Sequence, residues 1–571
     1  MRNNTINVLI GGEAGQGLNT IGQLLAKSLV RSGYSILVNQ TYHSRVRGGH
    51  NTYSVRFGAK EVVAPEESVD ILVALNDETV EIHHKEMVPK GIIIADQDVK
   101  VSGDSLVKVP FKTLGEPKVV NVLAMGVLGK ILCLDMELVS GIIEETFGKK
   151  GSGVAEENRQ ALEKAYEWAA RIPSDFCKLP ALKNPGKKLM MTGHDAIALG
   201  AMSAGLKFYC FYPMTPSTSI GQTLAANAGR MGMVVEQAED EISVINMALG
   251  ASFAGAPAMV GTAGGGFALM VEAISLAGMT ETPIVVVVGQ RPAPATGLPT
   301  RTEQADLEFV LHAGHGEFPR AVFAPGTVLE CFELTRKALN LADKYQSPVF
   351  ILSDQFLADS YRGVEPFKLD NLPLVQPWKN GKPISMPYKR YQFTDTGVSP
   401  RLLPGMSHAT GVVMADSDEH YEDSHITEDL SIRQKMVEKR LKKYDGIRSE
   451  IIAPEFSGDN QTDLLLVCWG SSKGAVMEAA SDLRSKDHRR VGVLHFSQVW
   501  PLAPQQFLHR LQGAKKAVCV EGNAFGQFAR LIRRETGFEF REQIHRYDGL
   551  TITPEYILRE LKRLEASNVQ T

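Results

Sequence analysis

The stretch FYPMTPSTSI, residues 211–220, joins a strand to a helix through a loop with two prolines. The apolar run that leads into it, residues 206–212, predicts a buried strand. Pro213 and Pro216 then restrict the backbone, because proline fixes its own φ and pushes the preceding residue into extended geometry. We therefore expect a rigid loop that presents the hydroxyl and amide of Thr215 at the carboxyl edge of a parallel sheet, where α/β folds bind ligands.

A purely structural interpretation of this loop is a strand exit at which Ser217 or Thr218 caps the following helix. Capping accounts for these two hydroxyl groups. It gives no reason to hold Thr215 stiffly between two prolines, so the loop favours a ligand at Thr215.

Strand and helix patterns alternate through most of the 571 residues around this loop. Continuous apolar runs such as DILVAL, GIIIAD and PIVVVVGQ are typical of parallel strands covered on both faces. The patterns predict three α/β domains, the first of them doubly wound. Their predicted bounds are 1–180 for the N-terminal domain, 186–362 for the domain with the proline loop, 363–460 for a proline- and charge-rich connector and 461–571 for the C-terminal domain, with a linker at 178–188.

The composition excludes several classes of function. The net charge is −4 and no basic block with interleaved aromatic residues occurs, so nucleic acid is not expected as a partner. The apolar runs are much shorter than a membrane span, and the N-terminus lacks the pattern of a secretory signal. The six cysteines are scattered without a CxxC pair, which predicts a reduced, cytoplasmic chain that binds no metal or iron–sulfur cluster by itself.

The first predicted strand ends in GGEAGQGLNT, a glycine-rich turn that opens the first helix. The backbone amides around Gly12, Gly15 and Gly17 could hold an anion at the helix N-terminus. A tight turn without a ligand explains the glycines equally well. A dinucleotide site is poorly supported, because Thr20 stands in the place of the third glycine and Asn39 in that of the ribose-binding acid.

Two arginines, Arg45 and Arg47, precede a pair of glycines in SRVRGGHN. Arginines beside glycines suit a phosphate-rich ligand or a subunit interface. A solvated strand end explains the same charges.

Three acids, Glu239, Asp240 and Glu241, crowd the start of a predicted helix in EQAEDEISVINMALGASFAG. The helix dipole favours acids at this end, so capping alone explains them. The next strand is followed by GTAGGGFALM, in which three consecutive glycines allow a ligand or another subunit to approach the backbone closely.

The segment GQRPAPATGLPTRTEQADL, residues 289–307, carries Arg291 and Arg301 on a loop that leaves a strand. A fixed arginine is suited to binding a carboxylate. A surface ion pair is the structural alternative for each of them.

Together, YPMTPST, EDEISVINMALGASFAG, GTAGGGFALM and TGLPTRTEQADL, in that order, closely resemble the α subunit of the 2-oxoacid:ferredoxin oxidoreductases. GGEAGQG and SRVRGGHN resemble the γ domain of that family, here fused ahead of the α domain. The tail, with HFSQVWPL and CVEGNAFGQFARLIR, resembles its transketolase-C-terminal-like domain. The fused γ–α arrangement is similar to the 2-oxoglutarate-type enzymes, and the resemblance covers nearly the whole chain.

The resemblance implies a thiamine-diphosphate enzyme that converts a 2-oxoacid, coenzyme A and oxidised ferredoxin to acyl-CoA, CO2 and reduced ferredoxin. By the same resemblance, residues 186–362 form the pyrimidine-binding domain and Glu241 contacts N1′ of the aminopyrimidine, which leaves capping to Glu239 and Asp240. The substrate implied is 2-oxoglutarate, with pyruvate or another 2-oxoacid as the alternative.

The implied substrate site consists of Thr215, which would bond the 2-oxoacid carboxylate, and Arg301, with Arg291 as a second candidate. Tyr212 and Pro213 would lie at the cofactor. Met214 replaces the Ile that is common in this motif.

Motifs that are missing from the chain imply partners. The sequence has no GDG motif for diphosphate and Mg2+ and no cluster cysteines, and in this family both belong to a β subunit. The resemblance therefore implies an (αβ)2 assembly whose β subunit holds Mg2+ and a [4Fe–4S] cluster. Gly12, Gly15, Gly17, Arg45 and Arg47 then form a candidate surface near coenzyme A.

Two features are left open by the sequence. His194 stands where the family often has Asn, so its role is open. The acidic stretch at 416–429 contains His420 and His425 among carboxylates and predicts a solvated connector in preference to a metal site. A nicotinamide dehydrogenase and a non-catalytic assembly subunit are the competing functional interpretations.

Overall fold

The computed structural model describes residues 5–43, 48–101, 105–148, 152–173, 176, 186–375, 384, 387–406, 413–459 and 461–568. Arg45, Arg47 and most of the predicted linker lie outside these residues. The chain forms two compact units. The first unit contains Met1–Thr192, Asp359–Phe367 and Thr553–Glu555, and the second contains Gly193–Ala358, Lys368–Ile552 and Tyr556–Thr571. The predicted domain bounds stay a prediction, because these units divide the chain differently.

The elements are numbered along the chain. The strands are β1 (Thr5–Glu13), β2 (Ser35–Thr41), β3 (His50–Gly58), β4 (Val69–Ala74), β5 (Met87–Asp96), β6 (Leu106–Val109), β7 (Leu189–Met191), β8 (Phe208–Phe211), β9 (Val234–Gln237), β10 (Ala258–Thr262), β11 (Ile284–Gln290), β12 (Ala321–Phe323), β13 (Pro348–Asp354), β14 (Arg362–Val364), β15 (Glu455–Ser457), β16 (Leu464–Trp469), β17 (Val491–Phe496), β18 (Gln498–Trp500), β19 (Lys516–Glu521) and β20 (Glu542–His545). The helices are α1 (Leu18–Arg31), α2 (Asp77–His83), α3 (Phe111–Leu114), α4 (Val120–Ile131), α5 (Met136–Phe147), α6 (Ser152–Ala169), α7 (Gly193–Ser203), α8 (Thr218–Met231), α9 (Glu241–Phe253), α10 (Gly264–Met279), α11 (Leu307–His312), α12 (Val328–Tyr345), α13 (Gln355–Asp359), α14 (Leu430–Ser449), α15 (Lys473–Lys486), α16 (Leu508–Gly513), α17 (Gln527–Thr536) and α18 (Pro554–Asn568).

The first unit is built on an eight-stranded mixed sheet with the order β6-β5-β4-β1-β3-β2-β14-β7. The apolar runs in β4 and β5 lie in its parallel half with β1 and β6. Strand β3 is antiparallel to both β1 and β2. Its alternating sequence fits an antiparallel strand, whereas the continuous apolar runs fit the parallel strands, which are buried along their length.

The second unit contains two sheets. The larger has the order β18-β12-β13-β11-β10-β8-β9 and is parallel except at β18. The smaller has the order β15-β17-β16-β19-β20. Strand β18 comes from the predicted C-terminal domain but pairs with β12, and one hydrophobic core includes both Val286 and Trp469. The α/β fold predicted from the sequence is confirmed, and the C-terminal segment shares its core with the segment that carries the proline loop.

The predicted connector contains a regular helix that the sequence analysis did not identify. Helix α14 runs over 20 residues and buries a stripe of five side chains, of which three are cationic. The stripe consists of Met436, Lys439, Arg440, Lys443 and Ile447. Hydrophobic periodicity missed this helix because its buried face is largely charged.

The described cysteines agree only in part with the prediction of a reduced chain. Cys210, Cys331, Cys468 and Cys519 are free and buried, as expected for a reduced chain. Cys133 is disulfide-bonded, which departs from that expectation.

None of the helices in the described parts of the chain has the length and apolar character needed to cross a bilayer.

Candidate active site

The proline loop connects β8 to α8 in the second unit. Ser217 is the N-cap residue of α8, but its side chain makes no capping hydrogen bond. Its hydroxyl instead donates to the Met214 carbonyl oxygen at 2.9 Å, within the loop. The capping interpretation of this loop is therefore wrong for Ser217, and its hydroxyl helps to fix the backbone that carries Thr215.

Arg291 holds the same loop from the end of β11. Its Nη1 donates to the Thr215 carbonyl oxygen at 2.6 Å. A Cβ atom at Gly289 would lie 2.9 Å from Pro216 Cγ, so strand and loop are in close contact. Burial lowers the pKa of Arg291, and the nearby Asp306 carboxylate partly offsets that effect. Arg291 thus positions Thr215 through the backbone.

The first turn of α9 divides its acids between two tasks. The Asp240 side chain accepts from Ser243 N at 2.8 Å and caps the helix. Glu239 accepts from the Ser243 hydroxyl at 2.9 Å. Glu241 points inward and is 3% exposed. Asp240 thus caps the helix, Glu239 bonds a side-chain hydroxyl instead of a backbone amide, and the cofactor role that the resemblance implies for Glu241 stays a prediction.

The Glu241 carboxyl is closely surrounded by polar and apolar atoms at the starts of α9 and α10. Thr262 Oγ1 is 3.5 Å from Glu241 Oε1 and 3.9 Å from Met214 Sδ. A Cβ atom at Gly266 would lie 2.2 Å from both Glu241 Oε1 and Thr262 Oγ1. Burial raises the pKa of Glu241, and among the described residues no lysine or arginine pairs with it. A carboxyl in this environment can share a proton with a buried ring nitrogen.

Arg301 lies on the distal part of the 289–307 loop, where the C-terminal segment holds the backbone. Its pKa is lowered by burial, and no described carboxylate forms an ion pair with it. The Thr302 amide donates to the Gly549 carbonyl oxygen at 3.2 Å. Arg301 is therefore a half-buried cation that is available to a ligand.

Gln304 anchors this loop to the C-terminal segment in a way the sequence analysis missed. Its Nε2 donates to the Trp469 carbonyl oxygen at 3.0 Å, and its Oε1 accepts from the Gly522 amide at 2.9 Å. Asn523 Nδ2 donates to the Gln304 carbonyl oxygen at 3.1 Å. The segment EGN, residues 521–523, is therefore hydrogen-bonded to the segment TEQ, residues 302–304. Neither segment's own sequence predicts this contact.

Asp306 is a second residue that the sequence analysis missed. Its carboxylate faces the start of α10, because a Cβ atom at Gly264 would lie 2.7 Å from both of its oxygens. The pKa of Asp306 is raised to about 6, because burial and the charge of Glu303 outweigh the opposing effect of Arg291. An acid directly before α11 was the available signal, although its side chain makes no capping bond there.

The glycine turn lies in the first unit, where β1 leads into α1. Gly17 has φ of 82°, and a Cβ atom there would lie 2.1 Å from Asn121 Nδ2. Gln16 Oε1 accepts from the Glu13 amide at 2.7 Å. These contacts describe a tight turn, and the predicted role of Gly12, Gly15 and Gly17 near coenzyme A stays a prediction.

His194 and His420 are both buried side chains. His194 is fully buried and bonds the hydroxyls of Ser219 at 3.0 Å and Ser353 at 2.9 Å, and burial lowers its pKa to about 4. It therefore joins α7, α8 and β13 as a neutral ring. His420 is buried and stacked on Tyr391 with ring centroids 3.8 Å apart, so a solvated connector is wrong at this position.

The predicted site residues fall into two groups within the second unit. Thr215, Arg291 and Glu241 are joined through Met214 and Thr262. Arg301 lies farther along its loop, against Gly549. Tyr212 and Pro213 are exposed on the proline loop, and their cofactor contacts stay predictions.

Two family models match the chain. Residues 199–439 match the thiamine-diphosphate-binding part of pyruvate flavodoxin/ferredoxin oxidoreductase, and residues 7–168 match pyruvate ferredoxin/flavodoxin oxidoreductase. The first range contains Thr215, Glu241, Arg291 and Arg301.

Several relatives match over nearly the full length of the chain. The α subunit of a 2-oxoacid:ferredoxin oxidoreductase from Sulfolobus is 30% identical over 95% of this chain and 94% of its own. The 2-oxoglutarate oxidoreductase subunit KorA of Mycobacterium tuberculosis is 29% identical over 92% of this chain and 87% of its own. The solved structure of 2-oxoglutarate:ferredoxin oxidoreductase from Magnetococcus marinus, with 2-oxoglutarate, coenzyme A and succinyl-CoA bound, has a TM-score of 0.92 at 30% identity and covers 98% of this chain and 100% of that chain.

Proposed function

The chain belongs to the 2-oxoacid:ferredoxin oxidoreductases as an α subunit, and from that premise we propose that it oxidatively decarboxylates 2-oxoglutarate with coenzyme A, giving succinyl-CoA, CO2 and reduced ferredoxin. The observation that carries this proposal is the buried Glu241 carboxyl, which lies at the start of α9 without a cationic partner among the described residues. The same chemistry on pyruvate or another 2-oxoacid is the alternative.

The residues around Glu241 fit thiamine diphosphate. The cofactor, when bound, supplies a nucleophilic carbon and an electron sink for decarboxylation. Glu241 would hold a proton at N1′ of its aminopyrimidine, and the raised pKa of the carboxyl suits it to sharing that proton. Thr262 would orient the carboxyl through its hydroxyl, 3.5 Å away.

The arginines of the 289–307 loop are consistent with a substrate that has a second carboxylate, because Arg291 is engaged by the proline loop and Arg301 is not. Arg291 bonds the backbone of Thr215 and thus lies beside the hydroxyl that would bind the 2-oxoacid carboxylate. Arg301 has no described carboxylate partner and would bind the distal carboxylate of 2-oxoglutarate. The names of the Mycobacterium and Magnetococcus relatives support this choice of substrate.

A partner subunit would complete the site. The relatives are named as subunits, and large apolar side chains are exposed on α9 and α10, among them Ile242, Met247 and Leu269. We assign this surface to a β subunit that holds the cofactor diphosphate, Mg2+ and a [4Fe–4S] cluster in an (αβ)2 assembly. The glycine turn of the first unit would lie near coenzyme A, and ferredoxin would accept the electrons.

Viologen reduction by the chain co-purified with its partner tests this function. We expect reduction that depends on coenzyme A and is fastest with 2-oxoglutarate when pyruvate and indolepyruvate are compared at equal concentration. A faster rate with another acid would identify that acid as the substrate and would still support a 2-oxoacid:ferredoxin oxidoreductase. A preparation with bound thiamine diphosphate and intact iron–sulfur absorbance that reduces viologen with none of the acids would contradict this function. The chain would then be a non-catalytic assembly subunit.

Arg301→Met is expected to raise the KM for 2-oxoglutarate by about 10- to 100-fold, the effect of losing one hydrogen-bonded charge pair. The KM for pyruvate, which lacks the distal carboxylate, should change little. Steady-state kinetics with both acids measure the difference.

The matched variant is Arg291→Met, which should slow both acids because it releases the loop that carries Thr215. Equal losses for both acids in Arg301→Met would place Arg301 at the 2-oxoacid carboxylate instead.

Gly266→Ala is expected to lower the rate by about 100-fold, because a Cβ atom 2.2 Å from Glu241 Oε1 must displace the carboxyl. Gly265→Ala is the control, since the nearest atom to its Cβ is 3.7 Å away. The two variants are compared by turnover and by thiamine diphosphate content after gel filtration. Equal turnover in both would mean that the position of Glu241 does not matter.

A further inference from the structure

Three side chains that are distant in sequence meet at the base of the smaller sheet. Glu330 lies in the first turn of α12, Glu455 begins β15 and His495 lies in β17. One ligand atom from each lies within 4.8 Å of the other two. Carboxylate oxygen and imidazole nitrogen are ligand types for divalent transition metals.

His495 has a ring nitrogen without a partner. Its Nε2 lies 3.2 Å from the Gly470 carbonyl oxygen, and because a carbonyl only accepts, Nε2 must carry the proton. Nδ1 is then a lone pair in the neutral ring, and it is buried without any hydrogen bond. It lies 4.0 Å from Glu330 Oε1, and the side chain is 1% exposed.

Lys473 provides the only positive charge that the described residues place on these carboxylates. Its Nζ lies 2.5 Å from Glu330 Oε1 and 2.7 Å from Glu455 Oε2. One ammonium leaves two carboxylates with a net negative charge, and it does not satisfy His495 Nδ1. The Glu455 side chain is 55% exposed, so an ion can enter from solvent on that side.

We propose that Glu330, Glu455 and His495 bind a divalent transition-metal ion, with Lys473 as the cation that holds the two carboxylates when the metal is absent. The metal would be bound by both carboxylates and by His495 Nδ1, whose lone pair has no hydrogen bond to Lys473. It would join α12 of the larger sheet layer to β15 and β17 of the smaller sheet. The sequence predicted no metal site because these ligands have no local spacing.

Titration of the full-length chain with Co2+, followed by visible absorption, tests the site. We expect one saturable transition in the wild-type chain. His495→Gln and Glu455→Gln should each weaken binding by at least about tenfold. His425→Gln, at an exposed histidine beside Asp423, is the control and should bind Co2+ as the wild type does.

Lys473→Met separates a metal site from a plain ion-pair network. Removing the competing ammonium should tighten Co2+ binding by about tenfold, whereas a network without a metal would gain no affinity. Glu455→Gln keeps the test decisive if a buried variant fails to fold, because Glu455 is exposed. The proposal is overturned if the wild-type chain shows no saturable Co2+ absorption, or if Glu455→Gln binds as the wild type does.

Discussion

Glu241→Gln is expected to lower 2-oxoacid-dependent viologen reduction by about 10²- to 10⁴-fold, the usual effect of removing a proton-transfer group. Glutamine keeps the shape of the side chain and its contact with Thr262, but it cannot hold the proton at the cofactor ring. The rate is measured on the co-purified complex with saturating thiamine diphosphate.

The fold should survive this change. Burial raises the pKa of Glu241, so the ionised form is less stable in the folded chain than in the unfolded chain. The carboxylate therefore costs folding free energy above its unfolded pKa, and the neutral amide removes that cost. The melting temperature of Glu241→Gln at pH 7 should equal or exceed that of the wild type.

Glu239→Gln is the matched control two residues away, because the Glu239 carboxylate bonds the Ser243 hydroxyl on the exposed side of the turn. Its turnover should stay near the wild-type value. Intact turnover in Glu241→Gln would remove the catalytic role and support a non-catalytic assembly subunit.

Glu281→Gln is expected to lower the free energy of unfolding by about 3–5 kcal/mol, the cost of leaving buried charge without its partner. Glu281 Oε1 lies 2.6 Å from Lys439 Nζ, and its Oε2 lies 2.5 Å from Lys443 Nζ. All three side chains are almost fully buried. Urea denaturation of the full-length chain measures the change.

The pH dependence of this loss has a defined sign. Burial alone would raise the pKa of Glu281, but Lys439 and Lys443 hold it well below its usual range. The pKa of Lys443 is lowered to about 7, because burial and the charge of Lys439 together outweigh the opposing effect of Glu281. Between about pH 7 and 10.4 the unfolded chain binds more protons at Lys443 than the folded chain, so the contribution of Lys443 to stability rises with pH. Glu281 favours the protonated form of Lys443, so folded Glu281→Gln releases that proton at a lower pH than the folded wild type does. The loss in Glu281→Gln should therefore be smaller at pH 9 than at pH 7.

The control for this cluster is Glu450→Gln, which removes a partly exposed ion pair with Lys344. Surface pairs contribute at most about 1 kcal/mol, so this variant should unfold almost as the wild type does. Equal losses in the two variants would mean that the buried cluster does not hold α14 in place.

The strand pattern and the order of motifs could be predicted from the sequence because they are local. The strands β4, β10 and β11 are predominantly apolar and buried at every residue, as parallel strands covered on both faces require. The acids at the start of α9 could be recognised as capping candidates for the same reason, but the separate role of Glu241 was implied only by the family resemblance. Helix α14 was missed because cations occupy its buried face, which hydrophobic periodicity cannot register.

The sequence by itself determined the α/β fold, the family and a small set of candidate residues, since periodicity, turn chemistry and motif order are properties of short segments. Only the tertiary structure decided which of those residues meet. Arg291 reaches the Thr215 carbonyl oxygen and Gln304 reaches the Gly522 amide across long stretches of chain. Such contacts depend on how strands and helices pack, so residues without any local pattern, such as Gln304 and His495, acquire defined partners only in the folded chain.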